Sequence, residues 1–277
     1  MPELAKRLPI CVLLLALGCG GQGRAQIIVA TTTSLQDSGL LETVAPAFER
    51  EHPAFRLRFV AVGTGEALEL GARRDADAVL AHAEAAELAF VDAGHAESRQ
   101  LVMRGEFLIV GPVDGRAGAP GVTGPGSAVA ALSRVADAGA PFLSRGDDSG
   151  THLKELELWD AAGLDREALR QAGWYLEAGQ GMGEALTIAA ERGTYLLTDK
   201  ATWLAMGMGE RLPVLVSGDP ALDNPYSVLV VSGAANTAGA RVFAGWLTGA
   251  EAQGLIARFG VDEFGAPVFR PAAGGER

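Results

Sequence analysis

Two short stretches of this sequence put hydroxyl side chains where a strand gives way to a helix. Hydroxyls in that position serve either as helix caps or as donors to a bound anion. The first stretch is Thr31-Thr32-Thr33-Ser34, followed by Asp37-Ser38-Gly39; the second runs from Ser144 through Arg145, Asp147, Asp148, Ser149 and Gly150 to Thr151. The first turn of a helix leaves backbone N–H groups unpaired, and its aligned peptide dipoles make that end partly positive. A small anion there gains several charge-assisted hydrogen bonds. Ser and Thr add donors without bulk, and Gly39 and Gly150 let the backbone approach closely. Taken singly, each stretch reads as a cap, with Ser38 and Ser149 each worth ~1 kcal/mol to its helix. Taken together, one in each half of the chain, they are candidates to wrap one anion from both sides.

Arg145 sharpens that reading, because a guanidinium holds two oxygens of a tetrahedral anion in fixed geometry. The competing role is an ion pair with Asp147 or Asp148, which would orient the guanidinium or accept the helix N–H groups and leave the anion to hydroxyls and backbone. Thr64, in Gly63-Thr64-Gly65 after an apolar run, is either a further hydroxyl donor or part of a plain turn. A dinucleotide fingerprint is excluded there, since position 68 is Leu. Gly179 to Gly183 reads as a helix-entry loop. Signals for catalysis are poor: Ser149 lacks the G-x-S-x-G setting, no phosphate loop of the G-x-x-x-x-G-K-[ST] type occurs, and the four histidines have no metal-ligand spacing.

The elements that would position these residues follow from hydropathy. Ile27 to Ala30 and Phe55 to Val62 read as strands, and Ala76 to Ala81 as a third. Helical periodicity lies between them, with Leu41, Val44, Ala45 and Phe48 on one face. This β-turn-α repetition predicts an α/β layer with a parallel sheet. Phe107 to Val110 reads as a strand, and Gly111 to Ser127, rich in Gly and Pro, as a linker or surface loop. A second α/β unit follows, with strands near Pro141–Leu143, Tyr195–Leu197, Pro213–Val216 and Ser227–Val231, and two closing helices around 240–247 and 250–258. Two such units predict two lobes with a ligand cleft between them.

Length and charge set the outer bounds. The 277 residues suffice for two lobes, and 48% hydrophobic with 21% charged residues describes a globular body. The net charge of -11 argues against nucleic acid or an anionic membrane surface as partner, so local donors must attract any anion. Lys6 and Arg7 precede the apolar run 8–17, too short to span a bilayer and suited to an export signal over residues 1–25. Two processing readings stand: cleavage after Ala25, or a lipobox ending at Cys19 as the lipidated residue. The two cysteines, Cys11 and Cys19, both fall in this segment, so the mature body has no internal disulfide and no thiolate metal site.

The blocks Ala30–Ser34, Val60–Gly65, Asp75–His82 and Ser144–His152 are similar to the tungstate-binding proteins of ABC importers. So are Trp174-Tyr175, Gly179–Gly183, Tyr195–Asp199 and Asn224–Ser227. The resemblance runs in order over nearly all the mature chain. The shorter Asp-x-Ser-Gly-Thr part also occurs in phosphate-binding proteins. The resemblance implies a two-lobed type II periplasmic-binding fold, with lobe I over 26–110, lobe II over 111–223 and a return to lobe I over 224–277. It implies an exported, monomeric, non-enzymatic protein without cofactor, which captures tungstate and passes it to a permease with ATPase subunits. Thr32, Thr33, Ser34 and Thr64 would face the anion from one lobe, and Arg145, Ser149, Gly150 and Thr151 from the other. Molybdate, phosphate or sulfate would use most of the same donors, and a periplasmic hydrolase is the alternative of a different class. The chain departs from the family pattern at Arg104-Gly105-Glu106, where a Tyr-Asn-Asp run is usual, and in a shortened segment at 232–236. Both departures bear on the hinge or the docking surface.

Overall fold

The computed structural model describes residues 23–112 and 127–274. The export segment, apart from its last three residues, and most of the 111–127 stretch lie outside the described residues. The chain begins with β1 (Ala25–Thr32), α1 (Thr33–Asp37), α2 (Leu40–Glu51), β2 (Phe55–Val62), α3 (Thr64–Ala72), β3 (Ala78–Ala81) and α4 (Glu84–Asp92). As expected from the alternation, β1 pairs in parallel with β2 on one side and β3 on the other. A single long strand, β4 (Ala96–Val110), follows. The predicted strand at Phe107–Val110 is its C-terminal end.

The second half adds α5 (Ala128–Asp137), β5 (Phe142–Ser144), α6 (Gly150–Ala161), α7 (Arg166–Gln171), β6 (Tyr175–Glu177), α8 (Met182–Arg192), β7 (Tyr195–Asp199), α9 (Lys200–Ala205) and β8 (Val214–Val216). The chain then returns through β9 (Asp223–Val231), α10 (Thr237–Leu247), α11 (Ala250–Arg258), α12 (Val261–Phe264) and β10 (Arg270–Pro271). One sheet has the order β2-β1-β3-β9-β4 and the other β4-β7-β5-β6. The sheets are mixed rather than purely parallel. β9 runs antiparallel to β3 and β4, and β4 runs antiparallel to β7 and β8. Long returning strands cause this, because a chain that leaves one sheet and comes back must reverse direction.

Each sheet is covered on both faces, and the period-2 alternation of its strands decides which residue goes where. In the first sheet Ile27 and Val29 face α2, α10 and α11, while Ala30, Val79 and Leu229 face α3 and α4. In the second, Phe107, Ile109 and Leu197 join the core containing Trp159, while Leu108, Val110 and Leu196 pack on α8. The fold is thus α/β and two-lobed. Its two sheets are joined where β4 passes from one to the other at Glu106/Phe107, opposite the first residues of β9. Arg104 and Glu106 sit at this crossing. Arg104 pairs with Asp223, and Glu106 accepts from Lys200 and from the Gly218 backbone N–H.

One local expectation needs correction. The helix after the first hydroxyl stretch does not start at Ser38. Thr32 is the N-cap, accepting a hydrogen bond from the Leu35 N–H, and α1 follows β1 without a gap. Ser38 ends α1 as its C-cap, and Gly39, with φ of 78°, turns the chain into α2. The apolar periodicity marked α2 and could not register a five-residue helix before it. No described helix is long and apolar enough to cross a membrane.

Candidate functional site

The C-terminal ends of β1, β3 and β5 point into the space between the lobes, where crevices of α/β sheets form. The corner after β5 is built tightly. Asp148 adopts a left-handed backbone with φ of 53°, and Gly146 does so at 61°. A side chain at Gly146 would lie 2.7 Å from Glu177 Cβ, so glycine is required there on two counts. Ser149 caps α6 by accepting from the His152 N–H, as its position before the helix predicts. A capping hydroxyl accepts through a lone pair and keeps its own proton, so Ser149 can cap and still donate to an anion, while the Thr32 hydroxyl is shared with Ser34.

Arg145 is 2% exposed. Its guanidinium donates to Asp147 Oδ2 at 2.5 Å and to the Gln180 carbonyl at 3.4 Å. Asp147 uses its other oxygen to accept the Ser149 N–H at 3.2 Å. The aspartate therefore orients the arginine and satisfies a helix N–H, the two roles considered for it. The loop Ala178–Gly179 holds the Arg145 turn through two backbone bonds, and α8 begins at Met182, so the helix-entry loop ends at Gly181 and Gly183 already lies in the helix.

The two lobes meet at this corner. The Gly150 N–H donates to Thr64 Oγ1 at 3.2 Å across the cleft, and Thr64 is fully buried. Side chains built at Gly63 and Gly65 would stand 3.9 and 4.0 Å from the carbonyls of Asp147 and Asp148. On the lobe I side, Thr32 and Ser34 are buried with their hydroxyls 3.2 Å apart, and Ser34 reaches His82 Nε2 at 3.3 Å. His82 in turn lies against Gly150. Thr33 opens α1, half-buried. Thr151, in the first turn of α6, is fully buried, and its hydroxyl has no hydrogen-bond partner among the described residues. The structure thus gathers Thr32, Ser34, Thr64, Arg145, Ser149, Gly150 and Thr151 around one interlobe contact.

Sequence reasoning missed three members of this cluster. His82, Asn224 and Tyr226 are all buried, with His82 Nδ1 2.9 Å from Asn224 Oδ1 and its ring stacked on Tyr226 at 4.6 Å. Their separation of 142 positions carries no local signal; the one clue was that both fall in blocks shared with a known family. Burial, and secondarily the nearby Arg145 charge, hold His82 down to about 4, so it is neutral at neutral pH. Asp199, which caps α9, is pushed up to about 6 by burial, and Arg145 opposes that shift. Arg145 is therefore the formal positive charge felt throughout the cluster. Among the described residues no group of three or more His, Cys, Asp or Glu could hold a metal cation. The arrangement is one of donors suited to an anion.

The chain is similar to known proteins over nearly its whole length. Residues 20–251 match the model of the PBP superfamily domain. A tungstate-binding protein TupA of Peptoclostridium acidaminophilum is 40% identical over 256 residues, covering 91% of this chain and 87% of that protein. The solved structure of TupA from Desulfovibrio alaskensis G20 is 37% identical with a TM-score of 0.74, covering 90% of this chain and 99% of that one. That of the tungstate ABC transporter from Geobacter sulfurreducens is 41% identical, also with a TM-score of 0.74, covering 84% and 98%. With buried donors from both lobes meeting at one corner, and with these similarities over nearly its whole length, the chain belongs to the PBP superfamily and, within it, to the family of the tungstate-binding TupA proteins.

Proposed function

We propose that this protein captures tungstate between its lobes and delivers it to the permease of an ABC importer. The observation that carries the reading is the closed corner itself: buried Arg145 and the unpartnered Thr151 hydroxyl beside the Thr64–Gly150 contact. Thr32, Thr33, Ser34 and Thr64 act from one lobe, and Arg145, Ser149 and Thr151 from the other, while Gly150 closes the corner by donating its N–H to Thr64. Lobe I comprises 26–110 and 224–277, and lobe II 111–223. The protein works outside the cytoplasm, either free after cleavage behind Ala25 or lipid-anchored at Cys19, as a monomer and without turnover of its ligand.

The donor set also bears on which oxyanion fits. Tungstate at neutral pH is fully ionised and offers acceptors alone, whereas hydrogen phosphate also carries a proton that needs an acceptor. The carboxylate nearest the guanidinium, Asp147, already accepts from Arg145 and from the Ser149 N–H. A lining of donors supports a fully ionised tetrahedral dianion over a protonated one. Lobe closure excludes water, so each of these hydrogen bonds counts for more than it would in solvent. Native mass spectrometry of the mature protein with equal tungstate, molybdate, sulfate and phosphate tests this. The expected adduct is one tungstate per chain. A phosphate or sulfate adduct in its place, or none, overturns the reading.

A further inference from the structure

With Asn224 oriented as it is, the hydrogen bonds around His82 turn the Ser34 proton away from an anion. Asn224 Nδ2 donates to the Tyr226 hydroxyl at 3.1 Å, so Asn224 turns its carbonyl oxygen to His82 Nδ1. Nδ1 therefore carries the imidazole proton and donates it, and Nε2 presents a lone pair. Ser34, 3.3 Å away, donates its single hydroxyl proton to that lone pair and accepts from the Thr32 hydroxyl at 3.2 Å. In this state Ser34 has no proton for a ligand. One added proton on Nε2 reverses the bond, with every other partner unchanged: Nε2–H donates to Ser34 Oγ, and the Ser34 proton turns outward. The ring cannot swing away, since it is stacked on Tyr226, held at both nitrogens and set against Gly150.

Resting on the proposed tungstate capture, we infer that His82 is a positioning residue for the anion: on binding it takes one proton from solvent, its Nε2–H donates to Ser34, and the Ser34 hydroxyl then donates to the oxyanion. The added positive charge also offsets part of the dianion's charge inside the closed cleft. The charged and titratable surroundings permit the switch. Arg145 faces His82 from the β5–α6 corner and disfavours a second cation until an anion lies between them. Tyr226 faces it from β9 as a neutral phenol, with Asp199 behind it. On the outer side His82 lines a groove of about 820 Å³ shared with Glu84, Arg104, Lys154, Glu157, Asp160 and Asp223.

Titration calorimetry with sodium tungstate in buffers of different ionisation heat, from about pH 6.5 to about pH 8.5, tests this. The wild type should show apparent enthalpies that vary with buffer, corresponding to uptake approaching one proton per anion. Its Kd should rise by up to about tenfold per pH unit. His82→Gln, which keeps a hydrogen-bonding side chain but does not titrate, should bind tungstate with no buffer dependence and a flat pH profile. Tight binding by the wild type with buffer-independent enthalpy overturns the inference while leaving tungstate capture standing. Undiminished proton uptake in His82→Gln likewise overturns it. Absence of any tungstate binding removes the functional reading and this inference together.

Discussion

Gly150→Ala separates the energetics of closure from those of folding, because the two should move in opposite directions. Gly150 is the first residue of α6, behind the Ser149 cap. Its backbone is not left-handed, so alanine fits locally. Alanine is the better helix former by up to about 1 kcal/mol, so the melting temperature should stay level or rise slightly. The methyl group, however, would lie 2.9 Å from His82 Cε1 and 3.1 Å from each ring nitrogen, where ordinary contact begins at 3.4 Å. His82 belongs to the other lobe and is pinned by Asn224, Ser34 and Tyr226, so it cannot yield. The lobes must part by about half an ångström or more, which lengthens the Thr64–Gly150 hydrogen bond as well. Overpacking of this kind costs roughly 1–3 kcal/mol. Charged to the closed state alone, that raises the Kd for tungstate by about 5- to 150-fold. Calorimetry and thermal melting on the same preparation measure both quantities. An unchanged Kd with an unchanged melting temperature would show that the anion-bound protein does not contain the His82–Gly150 contact, and the geometric case for the site would fail with it.

Other substitutions probe the remaining contacts. Arg145→Ala should weaken tungstate binding by about 1.5–3 kcal/mol, the range for a charged hydrogen bond, and an unchanged calorimetric affinity would remove Arg145 from the site. Thr64→Val keeps shape but takes the acceptor from the Gly150 N–H, so affinity should fall by about 1–3 kcal/mol in the same assay, with little loss of melting temperature in the anion-free protein. Glu155 is buried behind the corner, accepting from Tyr175 and Trp159, and burial raises its carboxyl to about 8 from 4.5. The folded protein keeps a proton that the unfolded chain releases, so this contribution to stability is full below about pH 4.5 and is lost as pH rises through about 8. Melting temperatures should decline across that window in the wild type, and Glu155→Gln should flatten the decline; a slope identical in both proteins would refute this.

The α/β alternation was legible because each element writes its own period into a few consecutive residues. The parallel trio β1–β3, α2 and the closing helices all follow from that. The two hydroxyl corners and Arg145 were legible for the same reason: a strand end followed by small donors and glycine is a local pattern. The sequence by itself thus determined the fold class and named most of the candidate donors. It could not determine that α1 exists, since five residues are too few to show a period, nor that Ser38 closes that helix while its hydroxyl also accepts the first N–H of the next. Only the tertiary structure decided that the second corner meets Thr64, 86 positions away from Gly150, and that His82 links Gly150 to Ser34 of the first corner. It alone brought His82 between Ser34 and Asn224. Those contacts arise because strands from distant parts of the chain end at one edge of their sheets and because the chain crosses between lobes at β4 and β9. Burial then set which carboxyl and which imidazole stay neutral, and burial is a property of the packed whole.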